Sequence, residues 1–278
     1  MSLIGLGELL KKGLNIFKVR LVPLIAIGVI SSAIGLAAGS LTTKKWFASV
    51  SAIVQSANPD AAVTQENFRA LLANLPPDQM SNAFLNPLLW VGALLAFVIG
   101  LWSQGALMLA VYPYESGAGG EPRGLGAVAQ EAFKLMKKLL LIDLILGLAG
   151  ILIGGAGALL IAGASLVNVP EWLVLIPVIA LILFLGVYFG FAPLLLVVEN
   201  QSVMGSLKRS RELVKSRWLA TAARLGVMLL VALPCAILLA LIPVVGAALG
   251  QVLVAPFVLA CVLALLESLK TSQSSETA

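Results

Sequence analysis

The chain has 278 residues, of which 60% are apolar and 11% are charged. A soluble globular domain has about 45–50% apolar and about 25% charged residues, so this composition excludes an ordinary water-soluble fold. The net charge of +5 does not indicate nucleic acid as a partner, because the basic residues stand in short blocks beside apolar runs, where membrane topology explains them. The chain has no histidine, which removes the commonest metal ligand and general base, and we predict no metal, no cofactor and no catalytic residue.

Six long apolar runs predict an all-α integral membrane protein. Each run can cross a hydrocarbon core of about 30 Å at about 1.5 Å per helical residue. The first run exceeds the about 7–15 apolar residues of a secretory signal, so we expect it to be a retained span. We predict a single transmembrane domain over residues 1–269, followed by a short polar cytoplasmic tail over 270–278. The six runs are Leu21–Leu41, Pro87–Tyr112, Leu139–Val167, Leu173–Val198, Trp218–Ile242 and Gly246–Leu266.

The lysines and arginines that flank these runs are distributed unequally. Fourteen lie on one side of the predicted membrane, in the terminal segments and in the connections between the second and third runs and between the fourth and fifth runs. Only Lys44, Lys45 and Arg69 lie in connections on the other, outer side. Positive residues are retained on the cytoplasmic side. We therefore predict six spans with both termini in the cytoplasm.

The outer segment 42–86 is the one sizeable stretch outside the apolar runs. Its apolar residues recur at helical spacing in two groups, which end at Asn58-Pro59 and Pro76-Pro77. We expect a small helical hairpin on the outer leaflet. It either packs on the bundle or serves as a lid for a partner or substrate.

Three segments of related sequence precede the first, third and fifth runs. Gly7, Gly126 and Gly205 stand at similar places in them, and each segment continues into a basic cluster next to its run. Each reads as an amphipathic helix that feeds a transmembrane hairpin. Ala192-Pro193 in the fourth run also resembles Ala255-Pro256 in the sixth. We predict three quasi-repeated hairpins with cytoplasmic interfacial helices, related by an axis along the membrane normal.

Two ionisable residues lie inside apolar runs. Asp143 and Arg224 both stand about 7 Å beyond the predicted inner boundary, at the helical rise per residue. A charge within the bilayer is costly, so we expect them to pair with each other or at least to face protein or water. The alternative is that both side chains snorkel to the near interface.

Small residues recur along two of the runs. We interpret these glycines as positions where helices approach closely. They are Gly147, Gly150, Gly154 and Gly157 on the third run and Gly246 and Gly250 on the sixth.

The stretch Ala192–Trp218 is the most distinctive in the chain. An apolar stripe of Val203, Leu207, Ser210, Val214 and Trp218 follows helical spacing, which is typical of a helix lying in the membrane interface. Its cations either contact anionic lipid headgroups or only enforce the topology. The candidate lipid contacts are Lys208, Arg209, Arg211, Lys215 and Arg217.

The same stretch carries a family resemblance. A span followed by Glu199-Asn200-Gln201-Ser202, by Ser206-Leu207-Lys208-Arg209-Ser210 and by Leu213-Val214-Lys215-Ser216-Arg217-Trp218 resembles the bacterial membrane-domain family named after glycerophosphoryl diester phosphodiesterases. The likeness extends over most of the chain, but its specific part is confined to Ala192–Trp218. It implies a bacterial inner-membrane protein linked to lipids or to an assembly. Some members carry a phosphodiesterase barrel that uses histidines, which this chain lacks, so we do not carry that activity over.

These features favour a non-enzymatic membrane protein. We expect a scaffold or accessory subunit in the bacterial inner membrane, with anionic lipids, a membrane-protein partner or further copies of itself as its contacts, and no nucleic acid. A transporter or lipid-translocating protein with a path between hairpins is the first alternative. An enzyme acting on lipid headgroups is the second.

Overall fold

A computed structural model of the chain describes residues 4–57, 87–112, 124–166, 170, 172–242 and 246–277. Every regular element within these ranges is helical. The helices are α1 (Leu6–Val19), α2 (Leu21–Ala57), α3 (Pro87–Val111), α4 (Leu125–Leu166), α5 (Trp172–Phe189), α6 (Ala192–Val198), α7 (Val203–Lys215), α8 (Trp218–Ala240), α9 (Gly246–Leu249) and α10 (Ala255–Thr277), with a π-helical turn over Gly250–Val254 between the last two.

Five stretches of helix are long and apolar enough to cross a membrane, and a sixth is added if the bent pair α1 and α2 counts as one span. The described segments thus agree with an all-α protein whose helices suit a bilayer. In the bent pair, Leu6–Val19 and Leu21–Ala37 meet at an angle of 76°. The five stretches are Trp90–Val111, Leu125–Ala164, Trp172–Val198, Trp218–Leu239 and Val252–Ser274.

Large apolar side chains point outward from several of these helices. Leu144, Ile151 and Leu159 on α4 are 62%, 71% and 76% exposed, and Leu230 on α8 is 74% exposed. Burying such a side chain is worth about 1.5–3 kcal/mol relative to leaving it in water. A surface of this kind is stable when hydrocarbon surrounds it.

The chain divides into two compact units. One comprises Met1–Val29 with Leu101–Ala278, and the other comprises Ile30–Gly100. In the first unit α10 belongs to the most enclosed of the candidate spans, and Leu263, Leu265 and Leu266 are almost fully buried. In the second unit, Trp90 and Leu94 are 64% and 62% exposed.

Helix α1 lies along α10 at close range. A Cβ atom added to Gly13 would lie 3.0 Å from Cys261 Cα, closer than ordinary van der Waals contact. Leu9 of α1 is fully buried, and Phe17 stacks edge-on against Phe257 with 6.1 Å between ring centroids. The predicted interfacial helix therefore has a protein surface beneath it.

The three predicted interfacial helices differ in how they join their spans. A break at Arg20 separates α1 from α2, and a break at Ser216 and Arg217 separates α7 from α8. Helix α4 instead runs unbroken for 42 residues, about 63 Å at the helical rise. No proline or glycine occurs between Ala127 and Leu146, so nothing in its backbone chemistry interrupts the helix.

The two Ala-Pro dipeptides that suggested a repeat both begin helices. Ala192 starts α6 after a turn at Gly190, and Ala255 starts α10 after the π-helical turn. Pro193 suits the first turn of α6 because the missing N–H of proline would have no partner there, whereas Pro256 follows the π-helical turn without a break in the helix. The hairpin repeat stays a prediction.

The bounds of the non-membrane segments differ from expectation. Helix α2 continues from the first apolar run through Ala57, and the rest of the outer segment 42–86 lies outside the described residues. At the other end, α10 extends through Thr277. Most of the predicted polar tail over 270–278 is thus a continuation of the last helix.

Candidate functional site at the basic end of the bundle

Helix α7 is fixed at its start by its own sequence. Asn200 adopts a φ of 45°, a left-handed conformation that asparagine tolerates better than most residues. The turn it makes redirects the chain from α6 into α7. Ser202 then caps α7, because its Oγ accepts a hydrogen bond from the backbone N–H of Gly205 at 3.1 Å.

The apolar face of α7 packs into the protein. Val203, Leu207 and Val214 from the predicted stripe are buried, and the Ser210 hydroxyl donates to the carbonyl oxygen of Tyr188 at 2.6 Å. Val203 and Leu207 belong to a buried cluster with Ile142 of α4. Neighbouring helices therefore cover the apolar stripe, which the pattern of a single helix does not reveal.

The five candidate lipid contacts fall into two groups. Arg209 lies beside Glu212, with 3.9 Å between Nη1 and Oε2, and Arg217 donates to the hydroxyl and the carbonyl oxygen of Ser272. The other three candidates are exposed. They form no hydrogen bond or ion pair with any part of the chain that the structure describes. We call these three residues, Lys208, Arg211 and Lys215, the cationic stripe.

The cationic stripe occupies one flank of α7. At 3.6 residues per turn, its three members and Met204 fall within about 60° of one another around the helix axis. Met204 is 70% exposed, so this flank presents three cations and one apolar side chain. Arg209 projects from another flank, about 100° or more around the axis from each stripe member, and its partner Glu212 lies between it and the stripe.

A polar junction holds the turn between α6 and α7. Lys270 of α10 forms an ion pair with Glu199, with 2.6 Å between Nζ and Oε1. Gln201 donates to the second carboxylate oxygen of Glu199 at 2.6 Å, and Lys138 of α4 donates to Asn200 Oδ1 at 3.3 Å. Helices α4 and α10 therefore both anchor the residues that precede α7.

A second polar junction holds the start of α1. The N–H of Ile4 donates to Ser268 Oγ at 3.1 Å, and the carbonyl oxygen of Ile4 accepts from Arg224 Nε at 2.9 Å. Lys12 pairs with Glu267 at 2.7 Å. Both junctions involve the last part of α10, so the N-terminus, the C-terminal helix and α7 gather at one end of the first unit, which we call the basic end.

The structure does not bring Asp143 and Arg224 together. The Arg224 guanidinium donates to the carbonyl oxygens of Ile4 and Ala220, each at 2.9 Å. Asp143 is half-buried, and no ion pair joins it to Arg224 in the described part of the chain. The arginine finds a backbone acceptor outside its own helix because Ile4, which precedes α1, lies beside α8, a contact that the pattern of apolar runs does not contain.

The glycines that we predicted to mark close helix packing differ in their surroundings. At Gly157 an added Cβ would lie 2.9 Å from Val178 Cγ2, so α4 and α5 approach closely there. At four others, Gly147, Gly150, Gly154 and Gly250, an added Cβ would meet no heavy atom within 4 Å. Gly246 is buried. Close approaches to the backbone of another helix also occur at two positions that were not singled out. Gly13 faces Cys261 and Gly28 faces Val252, and an added Cβ would lie 3.0 Å from the Cα atom in each case.

The sequence reasoning also missed the residues of the two junctions. Glu199 and Lys270 each stand where an apolar run ends on the predicted cytoplasmic side. That shared side was the available signal for pairing them. No signal in the sequence pointed to the hydrogen bonds of Ile4, because they use its backbone atoms.

Comparisons with protein-family models, with curated proteins and with solved structures each find no match to this chain. The family resemblance of Ala192–Trp218 therefore stays a prediction.

Proposed function

We propose that this chain is a non-enzymatic bacterial inner-membrane protein, a scaffold or accessory subunit, that binds anionic lipids through the cationic stripe on α7. The observation that carries the proposal is the exposure of Lys208, Arg211 and Lys215 on a helix whose apolar face is buried. A cation near an anionic membrane surface contributes about 1 kcal/mol of binding free energy. Three such cations are enough to enrich anionic lipid beside α7.

The proposal includes six spans with both termini in the cytoplasm. Ile4 contacts Ser268, so the two ends of the chain lie at the same end of the bundle, which requires an even number of crossings. The five candidate spans become six when the bent pair α1 and α2 is counted as one. The excess of lysine and arginine at this end favours the cytoplasmic side.

The position of α7 supports contact with headgroups. It connects the span that ends at Val198 with the span that begins at Trp218, so it lies where hydrocarbon gives way to the polar interface. Trp218 donates its indole N–H to the carbonyl oxygen of Phe184 at 3.4 Å, which suits the amphipathic ring found at such boundaries. The three cations stand directly before this boundary.

The lipid part of the proposal is tested with a triple variant, Lys208→Gln, Arg211→Gln and Lys215→Gln. Purified protein is placed in nanodiscs with increasing anionic lipid, and thermal unfolding and co-purified lipid are measured. The parent is expected to gain several degrees in Tm and to retain anionic lipid, whereas the variant gains little. A matched control, Lys11→Gln, Lys18→Gln and Lys134→Gln, removes the same charge from exposed residues away from α7 and should behave like the parent.

Two outcomes would contradict this part of the proposal. One is a parent protein that does not respond to anionic lipid. The other is an equal loss of response in the control, because it would mean that total charge and not the stripe is responsible. The scaffold role is tested separately by co-purification from native membranes in mild detergent, where a defined stoichiometric partner is expected.

The topology is tested by labelling. Cysteine replaces Lys215 in a chain with Cys235→Ala and Cys261→Ala, and a membrane-impermeant maleimide is added to intact cells and to inverted vesicles. Labelling only in inverted vesicles is expected. Labelling of intact cells would overturn the proposed orientation.

A further inference from the structure

We infer that the cationic stripe selects lipids whose single headgroup carries two phosphate groups. This inference rests on the proposed function and specifies its ligand. It follows from the number and spacing of the three cations on a helix that is held in place.

The stripe offers two adjacent places for a phosphate, one between each pair of neighbouring cations, and we call these places steps. Lys208 and Arg211 are three residues apart, and Arg211 and Lys215 are four apart. Such positions are neighbours on a helix, with about 5–6 Å between Cβ atoms. One phosphate fills the space between one neighbouring pair and leaves the third cation unused, whereas two phosphates use both steps.

Arg211 stands at the centre and belongs to both steps. Its guanidinium has five N–H donors in a planar fork, so it can donate to two oxygens that approach from different sides. Lys208 and Lys215 each add a compact charge at the ends. The order Lys, Arg, Lys therefore suits two phosphates in a row.

A headgroup with two linked phosphates gains from the linkage. Once the first phosphate is bound, the second is held nearby at high effective concentration. Two separate lipids with one phosphate each must both be ordered beside the helix, which opposes binding. The stripe thus favours the linked form at equal phosphate content.

Helix α7, which carries the stripe, is held in place before the lipid binds. The Ser202 cap, the bond from Ser210 to Tyr188 and the Glu199–Lys270 ion pair hold α7 at its start and along its buried face. A preformed arrangement reduces the ordering cost of binding. Met204, in line with the cations and 70% exposed, gives the same flank an apolar contact for the lipid beyond its phosphates.

The charges around α7 restrict the site to this flank. The nearest acidic side chain on the helix is Glu212, which is four residues from Lys208 and three from Lys215. It borders the stripe on the side that faces Arg209, its partner at 3.9 Å. Its carboxylate repels a phosphate placed there. Arg217 lies beyond the end of α7 and is bound to Ser272, so it is not part of the stripe.

The inference is tested with two lipids at equal phosphate content. The full-length protein in zwitterionic nanodiscs is titrated with diphosphatidylglycerol, which carries two phosphates, and with phosphatidylglycerol, which carries one. Bound lipid is counted by native mass spectrometry. The apparent affinity per phosphate is expected to be about tenfold higher for diphosphatidylglycerol. Linking two binding groups commonly produces a gain larger than this.

Substitutions at the centre of the stripe sharpen the test. Arg211→Gln should abolish the preference between the two lipids while leaving weak binding of both, and Arg211→Lys should leave a reduced preference. Lys134→Gln, an exposed residue outside the stripe, should leave the preference unchanged. Since Arg211 is exposed and has no described partner, its variants are expected to unfold at the parent's temperature in zwitterionic lipid.

The results separate the inference from the proposed function. Equal affinity per phosphate for the two lipids would overturn the inference and leave anionic-lipid binding in place. Absence of binding to either lipid would overturn both. A preference that persists in Arg211→Gln would assign the selectivity to another surface and overturn the inference.

Discussion

Arg224 and Ile4 are joined across 220 positions of sequence by a hydrogen bond of 2.9 Å from the guanidinium Nε to the backbone carbonyl oxygen. Ile4 also donates its N–H to Ser268, so the residue that precedes α1 is bonded to both α8 and α10. The contact gives Arg224, which lies within an apolar run, a partner in the backbone. The bond to Ser268 ties the residue before the first helix to the last helix.

Loss of the Arg224 side chain should loosen the start of α1. Hydrogen bonds to charged groups contribute about 1.5–3 kcal/mol to stability, so Arg224→Gln is expected to lower the Tm in detergent by several degrees and to speed proteolysis near the N-terminus. Arg224→Lys keeps the charge but loses the Nε donor, so its Tm should lie between that of the parent and that of Arg224→Gln. An unchanged Tm together with unchanged proteolysis would contradict the anchoring role.

A double-mutant cycle examines whether Arg224 also interacts with Asp143. Since no ion pair joins them in the described structure, the effects of Arg224→Gln and Asp143→Asn on stability are expected to add within about 0.5 kcal/mol. The measurement is thermal unfolding of the parent, the two single variants and the double variant. A coupling above about 1 kcal/mol would restore the pairing that the sequence suggested.

The ion pair between Lys270 and Glu199 should contribute to the position of α7. Both side chains are partly exposed, at 30% and 22%, so a coupling of about 0.5–1 kcal/mol is expected from Lys270→Met and Glu199→Gln in a double-mutant cycle. The coupling should decrease in high salt, because exposed charges are screened. A coupling near zero in low salt would mean that other contacts hold the turn before α7.

Glycine substitutions should distinguish helix contacts from open surface. Gly13→Ala places a methyl group against Cys261 and is expected to destabilise by about 1–3 kcal/mol, the usual cost of overpacking. Gly150→Ala meets no heavy atom within 4 Å and should be neutral or stabilising, since alanine favours the helix by up to about 1 kcal/mol. Thermal unfolding in detergent measures both, and equal effects would contradict the close approach of α1 to α10.

Two buried serines of α7 offer a comparison within one helix. The Ser210 hydroxyl donates to Tyr188 of α5, whereas the Ser206 hydroxyl donates to Val203 of its own helix at 2.8 Å. Ser210→Ala should therefore cost about 1 kcal/mol of stability and weaken lipid binding by releasing α7. Ser206→Ala should affect lipid binding little. A larger loss of lipid binding in Ser206→Ala than in Ser210→Ala would contradict the role of the Tyr188 contact.

The sequence predicted the helices more fully than their contacts. Apolar runs reveal which segments suit hydrocarbon, and the clusters around Arg20 and Arg217 marked where two helices break. The unbroken course of α4 was missed, because a basic amphipathic segment looks alike whether a bend follows it or not.

The candidate site was predicted in composition and only partly in arrangement. The pattern of α7 identified all five cations, but it could not tell Arg217, which is bound to Ser272, from Arg211, which is exposed. That distinction depends on neighbouring helices far away in sequence. The same is true of the buried stripe of Val203, Leu207 and Val214, which predicts an apolar neighbour without saying whether protein or lipid supplies it.

The continuity of α4 has a mechanical consequence. Helices α1 and α7 each meet the following helix at a break, where a change of angle needs only a few dihedral rotations. Helix α4 has no such joint between Lys138, which reaches Asn200, and its far end near Leu166. A tilt imposed on α4 at the basic end is therefore not absorbed at a break before its apolar run, as it can be in α1 and α7, and passes directly into that run.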